Sequence, residues 1–135
     1  MSRAALARVL ARARFSRSFG FRVEAVGAGT CTLRVPFRRR LERPGGVVAG
    51  PVLMAAADAA VWLAILARPG HEDAVTIEMQ TAFLAAGRGE DIRCRARILR
   101  WGRRLIHGVA ECRGRRGRLL SHHTITYMRV DPRER

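Results

Sequence analysis

The stretch that most constrains the fold is Val47 to Ala67, VVAGPVLMAAADAAVWLAILA, which holds a single charged residue, Asp58. Alanine and leucine favour helix, and Pro51 suits a first turn, where its missing N–H costs little. The pattern predicts a helix from about Gly50 to Arg68, stopped by Pro69-Gly70. Such a helix is apolar on every side, so it must lie inside a large core or a membrane. A helical wheel groups Asp58 with Met54, Ala55, Val61, Trp62 and Ile65. A carboxylate on that face is costly unless it is hydrogen-bonded, protonated or used.

The run is long enough to span a bilayer. Asp58 near its middle, Gly50-Pro51 at its start and strand-like segments after it argue for a buried helix and no membrane contact. The start MSRAALARVLARARF scatters arginine through its apolar residues, unlike a secretory leader. Cys31, Cys94 and Cys112 are odd in number, widely spaced and outside any CxxC pair. That pattern points to buried thiols in a reduced, cytoplasmic protein. At 135 residues the chain suits one domain spanning 1–135. Basic residues number 26 against 11 acidic, for a net charge of +15, and every one is arginine. The absence of Lys and Asn suggests a codon bias as well as selection. The excess still favours polyanions: nucleic acid, an acidic membrane or a phosphate-bearing small molecule.

Residues 1–19 read as a helix with Leu6, Val9 and Leu10 on one side and arginines on the other. Phe21 to Val26 and Thr30 to Phe37 read as a hairpin turning at Gly27-Ala28-Gly29. In its first strand Val23 and Ala25 should share one face, with Arg22 and Glu24 on the other. Arg38 to Gly46 is a basic loop ahead of the helix. Four strand-like segments follow the helix. Ala74 to Leu84 alternates Val75, Ile77, Met79 and Thr81 against Thr76, Glu78 and Gln80. Asp91 to Leu99 turns Ile92, Cys94, Ala96 and Ile98 inward and Arg93, Arg95 and Arg97 outward. Leu105 to Cys112 and Arg118 to Arg129 complete the set, and Val130–Arg135 should fray. The short connections suit an antiparallel meander. A curved sheet with one apolar face and an all-apolar helix solve each other's burial problem. The expectation is an α+β domain with the helix inside the sheet.

The residues around Asp58 sharpen this. Gly50-Pro51-Val52-Leu53-Met54-Ala55-Ala56-Ala57-Asp58-Ala59-Ala60 resembles the helix-start motif of hotdog-fold acyl-CoA thioesterases of the phenylacetate-pathway and 4-hydroxybenzoyl-CoA type. Thr81-Ala82-Phe83-Leu84, Gly89-Glu90-Asp91-Ile92 and Leu99 to Leu105 also resemble that family's later strands. The likeness covers roughly Val35 to Tyr127. It implies a hotdog fold and thioester hydrolysis, with Asp58 as catalytic carboxylate and the Gly50 N–H polarising the thioester carbonyl. The family's His before that glycine is Ala49 here, its second glycine is Pro51, and the polar residue a turn beyond the carboxylate is Trp62.

The chemistry suits the pair. Helix N-terminal N–H groups are unpaired and partly positive, as an oxyanion requires. A carboxylate against apolar surface can attack or activate water. Eight positions along a helix is about 12 Å, so one thioester cannot easily touch both groups. They should come from different subunits of a homodimer, or of a dimer of dimers, as the resemblance also implies. Met54, Val61 and Trp62 are candidates to line the acyl pocket, and Arg100, Arg103 and Arg104 to grip coenzyme A phosphates. No cofactor is needed beyond the coenzyme A of the substrate. His71-Glu72-Asp73 reads as surface loop. His122 and His123 fall on opposite faces of a strand, and no residue set has metal-ligand spacing. Two other readings use the same scaffold: a non-catalytic acyl-CoA binder and a basic nucleic-acid binder. Aromatics are only 6% and rarely sit in basic runs, which disfavours nucleic acid. A dehydratase of this fold would need a His before the helix, and none lies between Val35 and Asp58.

Overall fold

The structure, a computed structural model, describes residues 1–70, 73–131 and 133. Along the chain come α1 (Arg3–Arg12), α2 (Arg14–Arg17), β1 (Arg22–Gly27), β2 (Thr30–Val35), β3 (Glu42–Arg43) and β4 (Val47–Val48). Then follow α3 (Gly50–Ala67), β5 (Ala74–Phe83), β6 (Ile92–Trp101), β7 (Leu105–Arg113) and β8 (Leu119–Arg129). Six strands form one antiparallel sheet in the order β1-β2-β6-β7-β8-β5, and β3 pairs with β4 beside it.

Helix α3 lies against the inner face of that sheet, packed chiefly on β6, β2 and β7. Its apolar sequence explains this, since Leu63, Ala64, Val61 and Ala60 are completely buried. They meet Leu33, Ile92, Ala96, Ile106 and Ile125 of the sheet in one core. Truncating such a residue, as in Leu63→Ala, costs about 2–5 kcal/mol. Among the described residues α3 is the one helix long and apolar enough to cross a membrane, and here it is the core helix. Cys31, Cys94 and Cys112 are free thiols in the same core. The arrangement is the α+β hotdog one, a long helix wrapped by a curved antiparallel sheet.

Several local expectations need correction. The N-terminal helix is not continuous over 1–19: Ala13 is extended (φ −76°, ψ 96°) and divides α1 from α2. No Pro or Gly announces this break. The Arg17 guanidinium donates to the Ala11 carbonyl at 2.8 Å, supplying a partner at the ruptured turn. The strands are not one meander either. β6, β7 and β8 follow each other as neighbours, but β5 pairs with β8 at the far edge. The connection from β5 to β6 therefore crosses the end of the sheet. Leu84 and Ala85 donate to the Leu120 carbonyl at 2.8 and 3.2 Å, and Val48 donates to the Gly87 carbonyl at 2.9 Å.

Register shifts in β1 and β5 overturn the simple alternation there. In β1 the register shifts at Glu24, so Val23 opposes Leu33 and Val26 opposes Cys31, while Ala25 faces out. In β5 it shifts at Ile77, leaving Val75 and Ile77 about half exposed while Met79 and Thr81 face in. An extra residue reverses the facing of everything before it. His71 and Glu72 of the expected surface loop lie outside the described residues; Asp73 is exposed. In the expected fraying tail, Val130 donates to the Asp73 carbonyl at 2.9 Å and Arg133 pairs with Asp131 at 2.7 Å. Residues 132, 134 and 135 lie outside the description.

Candidate active site

Midway along α3, Asp58 is half-buried beside a recess of about 310 Å³. Ala55, Ala59 and Trp62 from the same helix, Phe15 and Ser16 from α2, and Thr76 and Tyr127 from the sheet line it. Two hydroxyls fix the carboxylate. Tyr127 donates to Asp58 Oδ1 at 2.7 Å, and its oxygen also lies 3.0 Å from the Asp58 carbonyl oxygen. Thr76 Oγ1 donates to the same Oδ1 at 2.7 Å. Both donors converge on one oxygen, and Oδ2 has no hydrogen-bond partner among the described residues. The carboxylate is thus oriented while one oxygen stays free to act.

The sheet delivers those hydroxyls by different means. Tyr127 continues the inward phase of His123 and Ile125 along β8 and is 3% exposed. Burial, together with the Asp58 charge beside it, pushes its phenol well above the ordinary range, so it remains a donor. Thr76 sits on the face assigned outward by sequence alternation. The bulge at Ile77 turns it in, opposite Tyr127. Both residues were missed as site residues. The signal for Tyr127 was present, an inward-phase position on the last strand holding the chain's one tyrosine. Thr76 had none, because a bulge leaves no mark in this composition.

Gly50 opens α3 after Ala49, which is extended and supplies no side-chain cap. The next residue, Pro51, has no N–H to offer. Among the described residues the Gly50 N–H meets no acceptor, as befits the first turn of a helix. The Phe83 ring of β5 covers this glycine: a Cβ at Gly50 would sit 3.1 Å from Phe83 Cζ. Asp58 and Gly50 remain about 12 Å apart along the axis, so one protomer does not bring them together.

The other candidates divide. Trp62 lines the recess. Met54 is 38% exposed on the same side of the helix but is not part of the lining. Val61 and Ile65 are buried to 1% or less, and Val61 points into the core near Gly108. Arg100, Arg103 and Arg104 are exposed at the β6–β7 turn. That turn adjoins the C-terminal end of α3, where the Arg68 guanidinium lies 4.3 Å from the Trp101 ring centre. They are not brought to Asp58 within the protomer. No group of three or more His, Cys, Asp or Glu suited to a metal occurs among the described residues. Inward-facing His123 accepts or donates with Ser121 and Thr81 at 2.8 Å each, while His122 faces outward.

The thioesterase superfamily pattern matches residues 45–121, more than half of the chain. A candidate esterase of Thermoplasma acidophilum is 25% identical over 122 residues, covering 90% of this chain and 92% of that protein. The solved structure of a conserved Pseudomonas aeruginosa protein is 28% identical with a TM-score of 0.85, over 92% of this chain and 99% of that one. A hypothetical thioesterase of Streptococcus pneumoniae, solved with coenzyme A, shares the fold at 17% identity and a TM-score of 0.77, over 82% and 85% of the two chains. These likenesses support thioester hydrolysis in general. With its hotdog fold and matched helix, the chain belongs to the thioesterase superfamily.

Proposed function

We propose that the protein hydrolyses an acyl-CoA thioester to a free acid and coenzyme A, using Asp58 and Gly50. The observation that carries this reading is the Asp58 carboxylate itself. One oxygen is held by two neutral hydroxyls and the other is free beside an apolar recess. Oδ2 takes a proton from water as the water oxygen adds to the thioester carbon, or attacks that carbon directly to form an acyl anhydride on Asp58, which a water then cleaves to release the free acid and restore the carboxylate. The carbonyl oxygen gains charge, which an unpaired helix N-terminal N–H stabilises. The C–S bond then breaks and the thiolate leaves. No further cofactor is required, since coenzyme A enters as part of the substrate. The solved S. pneumoniae thioesterase holding coenzyme A supports that substrate class.

Completing the site needs a second copy. β5 is an edge strand with Val75, Ile77 and Phe83 each about half exposed. An unpaired apolar edge is a template for another strand. Two copies of β5 joined about a two-fold axis would continue the sheet and bring the partner's α3 start toward Asp58. This homodimer, alone or doubled, is the working assembly, and the cytoplasm is its compartment. In it Arg100, Arg103 and Arg104 are the candidates to grip the coenzyme A phosphates.

The test is thiol release from a panel of acyl-CoAs, comparing wild type with Asp58→Ala. The expected result is turnover by wild type and none by a variant that still unfolds cooperatively. Equal turnover in both would remove Asp58 from the mechanism. Wild type inert toward every thioester would overturn the activity.

A further inference from the structure

The other face of the sheet, away from α3, carries a second and larger concavity of about 1070 Å³. It is independent of the Asp58 recess. Arg93, Arg95 and Arg97 point into it because they alternate with Ile92, Cys94 and Ala96, which face the core. The cross-strand register concentrates charge further. Arg22, Arg34, Arg93 and Arg113 are directly opposed across β1, β2, β6 and β7. Strands lie about 4.8 Å apart, and like charges directly opposed destabilise a sheet.

Acidic residues relieve only part of this. Asp91 pairs with Arg34 at 3.3 Å, Glu24 with Arg93 at 2.8 Å, and Glu111 with Arg113 at 3.4 Å. Arg95, Arg97 and Arg116 have no hydrogen-bond or ion-pair partner among the described residues, and all three line the groove. The floor between them is apolar: Val109 lies on this outer face yet is only 7% exposed. Phe37, 39% exposed, stands at the rim.

The rim is built rather than loose. Buried Glu90 accepts from the Arg115 backbone N–H at 2.9 Å, and Arg115 Nη2 donates to the Gly89 carbonyl at 2.8 Å. Arg113 Nη1 donates to the Gly117 carbonyl at 2.9 Å. Within this turn Arg116 has φ 59°, and it is the one residue besides glycine with positive φ among those described. The left-handed region strains a residue bearing a Cβ, and such strain collects at functional sites.

We infer that this groove binds a nucleotide carrying two or more phosphates. Guanidinium groups match phosphate oxygens in bidentate fashion. The free heads of Arg95, Arg97 and Arg116 supply that match, and an anion relieves the repulsion along the arginine row. The volume is near the upper end for small-molecule sites. Phe37 is the one Phe, Tyr or Trp ring in the lining and offers stacking to one base, where a strand of nucleic acid would call for several.

The test is titration calorimetry of the full chain with ATP, with adenosine, a single-stranded oligonucleotide and phosphatidylglycerol vesicles as comparisons. The same titrations are run on Arg95→Ser/Arg97→Ser and on Arg116→Gly. ATP should bind, more weakly as salt rises, and adenosine should not. The double variant should lose at least tenfold in ATP affinity while its melting temperature and acyl-CoA turnover stay at the wild-type values. No ATP binding, or equal affinity in the double variant, would overturn the site. Oligonucleotide or vesicle binding that ATP fails to displace would overturn the nucleotide as its occupant.

Discussion

Tyr127 and Thr76 place their hydroxyls on one and the same oxygen of Asp58, each at 2.7 Å. They come from neighbouring strands that register them opposite each other, and they grip the carboxylate from the sheet side. Helix α3 is thereby keyed to the sheet at the residue proposed to do the chemistry. Removing one donor should cost orientation more than binding. Tyr127→Phe is expected to lower kcat by about tenfold to a hundredfold with KM little changed, and stability by about 1 kcal/mol. Thr76→Val should act in the same direction. The double variant should fall short of the product of the two, because both serve one oxygen. Steady-state kinetics of the three variants check this, and a pure KM effect would contradict it.

Asp58→Ala should fold. The Tyr127 hydroxyl is 3.0 Å from the Asp58 backbone carbonyl oxygen, which the substitution leaves in place. The buried phenol therefore keeps an acceptor, and a half-buried carboxylate leaves an apolar helix face. The melting temperature should match or exceed that of wild type. A fall of several degrees would show that the carboxylate is chiefly structural.

At the start of α3 the limit is steric. A methyl at Gly50 would sit 3.1 Å from Phe83 Cζ, tighter than ordinary contact. Phe83 is 55% exposed, so its ring can yield. Gly50→Ala should fold normally and lose kcat severalfold, by displacing the ring and the carbonyl that shares its space. Adding Phe83→Ala should restore part of the loss. If the second substitution recovers nothing, crowding by Phe83 is not the cause.

The β5 edge should hold the dimer. Ile77→Lys places a cation on an exposed apolar position of that strand, outside the lining of the Asp58 recess. Light scattering should report a monomer, and thiol release should be lost although Asp58 is untouched. A monomeric wild type, or an active monomeric variant, would show the site complete within one chain.

Alkaline stability follows from two buried acids. Burial pushes the Cys31 thiol from 9.0 up to about 12, and the Tyr127 phenol is raised from 10.0 by burial and by the Asp58 charge. In both the folded state holds its proton more tightly than the unfolded chain. Their contributions are full below about pH 9 and are lost as pH climbs through the raised values. The melting temperature should decline from about pH 9 upward, and tyrosinate absorbance should appear only with unfolding. Tyrosinate forming in the native protein near pH 10 would contradict the buried contact.

The sequence by itself determined the core. An all-apolar helix ending at Pro69-Gly70 and interrupted by Asp58 calls for a core around it, the strict alternation from Ile92 to Ile98 supplies an apolar face, and both elements stand where that pattern put them. Asp58 was conspicuous because a lone charge in such a run has an energetic cost that the sequence displays. Only the tertiary structure decided what holds that charge. The bulge at Ile77 shifts register by one residue and turns Thr76 inward, and residue types along β5 do not encode the shift. The pairing of β5 with β8, rather than with the next strand, decided that Tyr127 would stand beside it. Likewise the arginines of β6 were legible as an outward row. Their alignment with Arg34 and Arg113 was not, because register between strands is set by packing across the whole sheet.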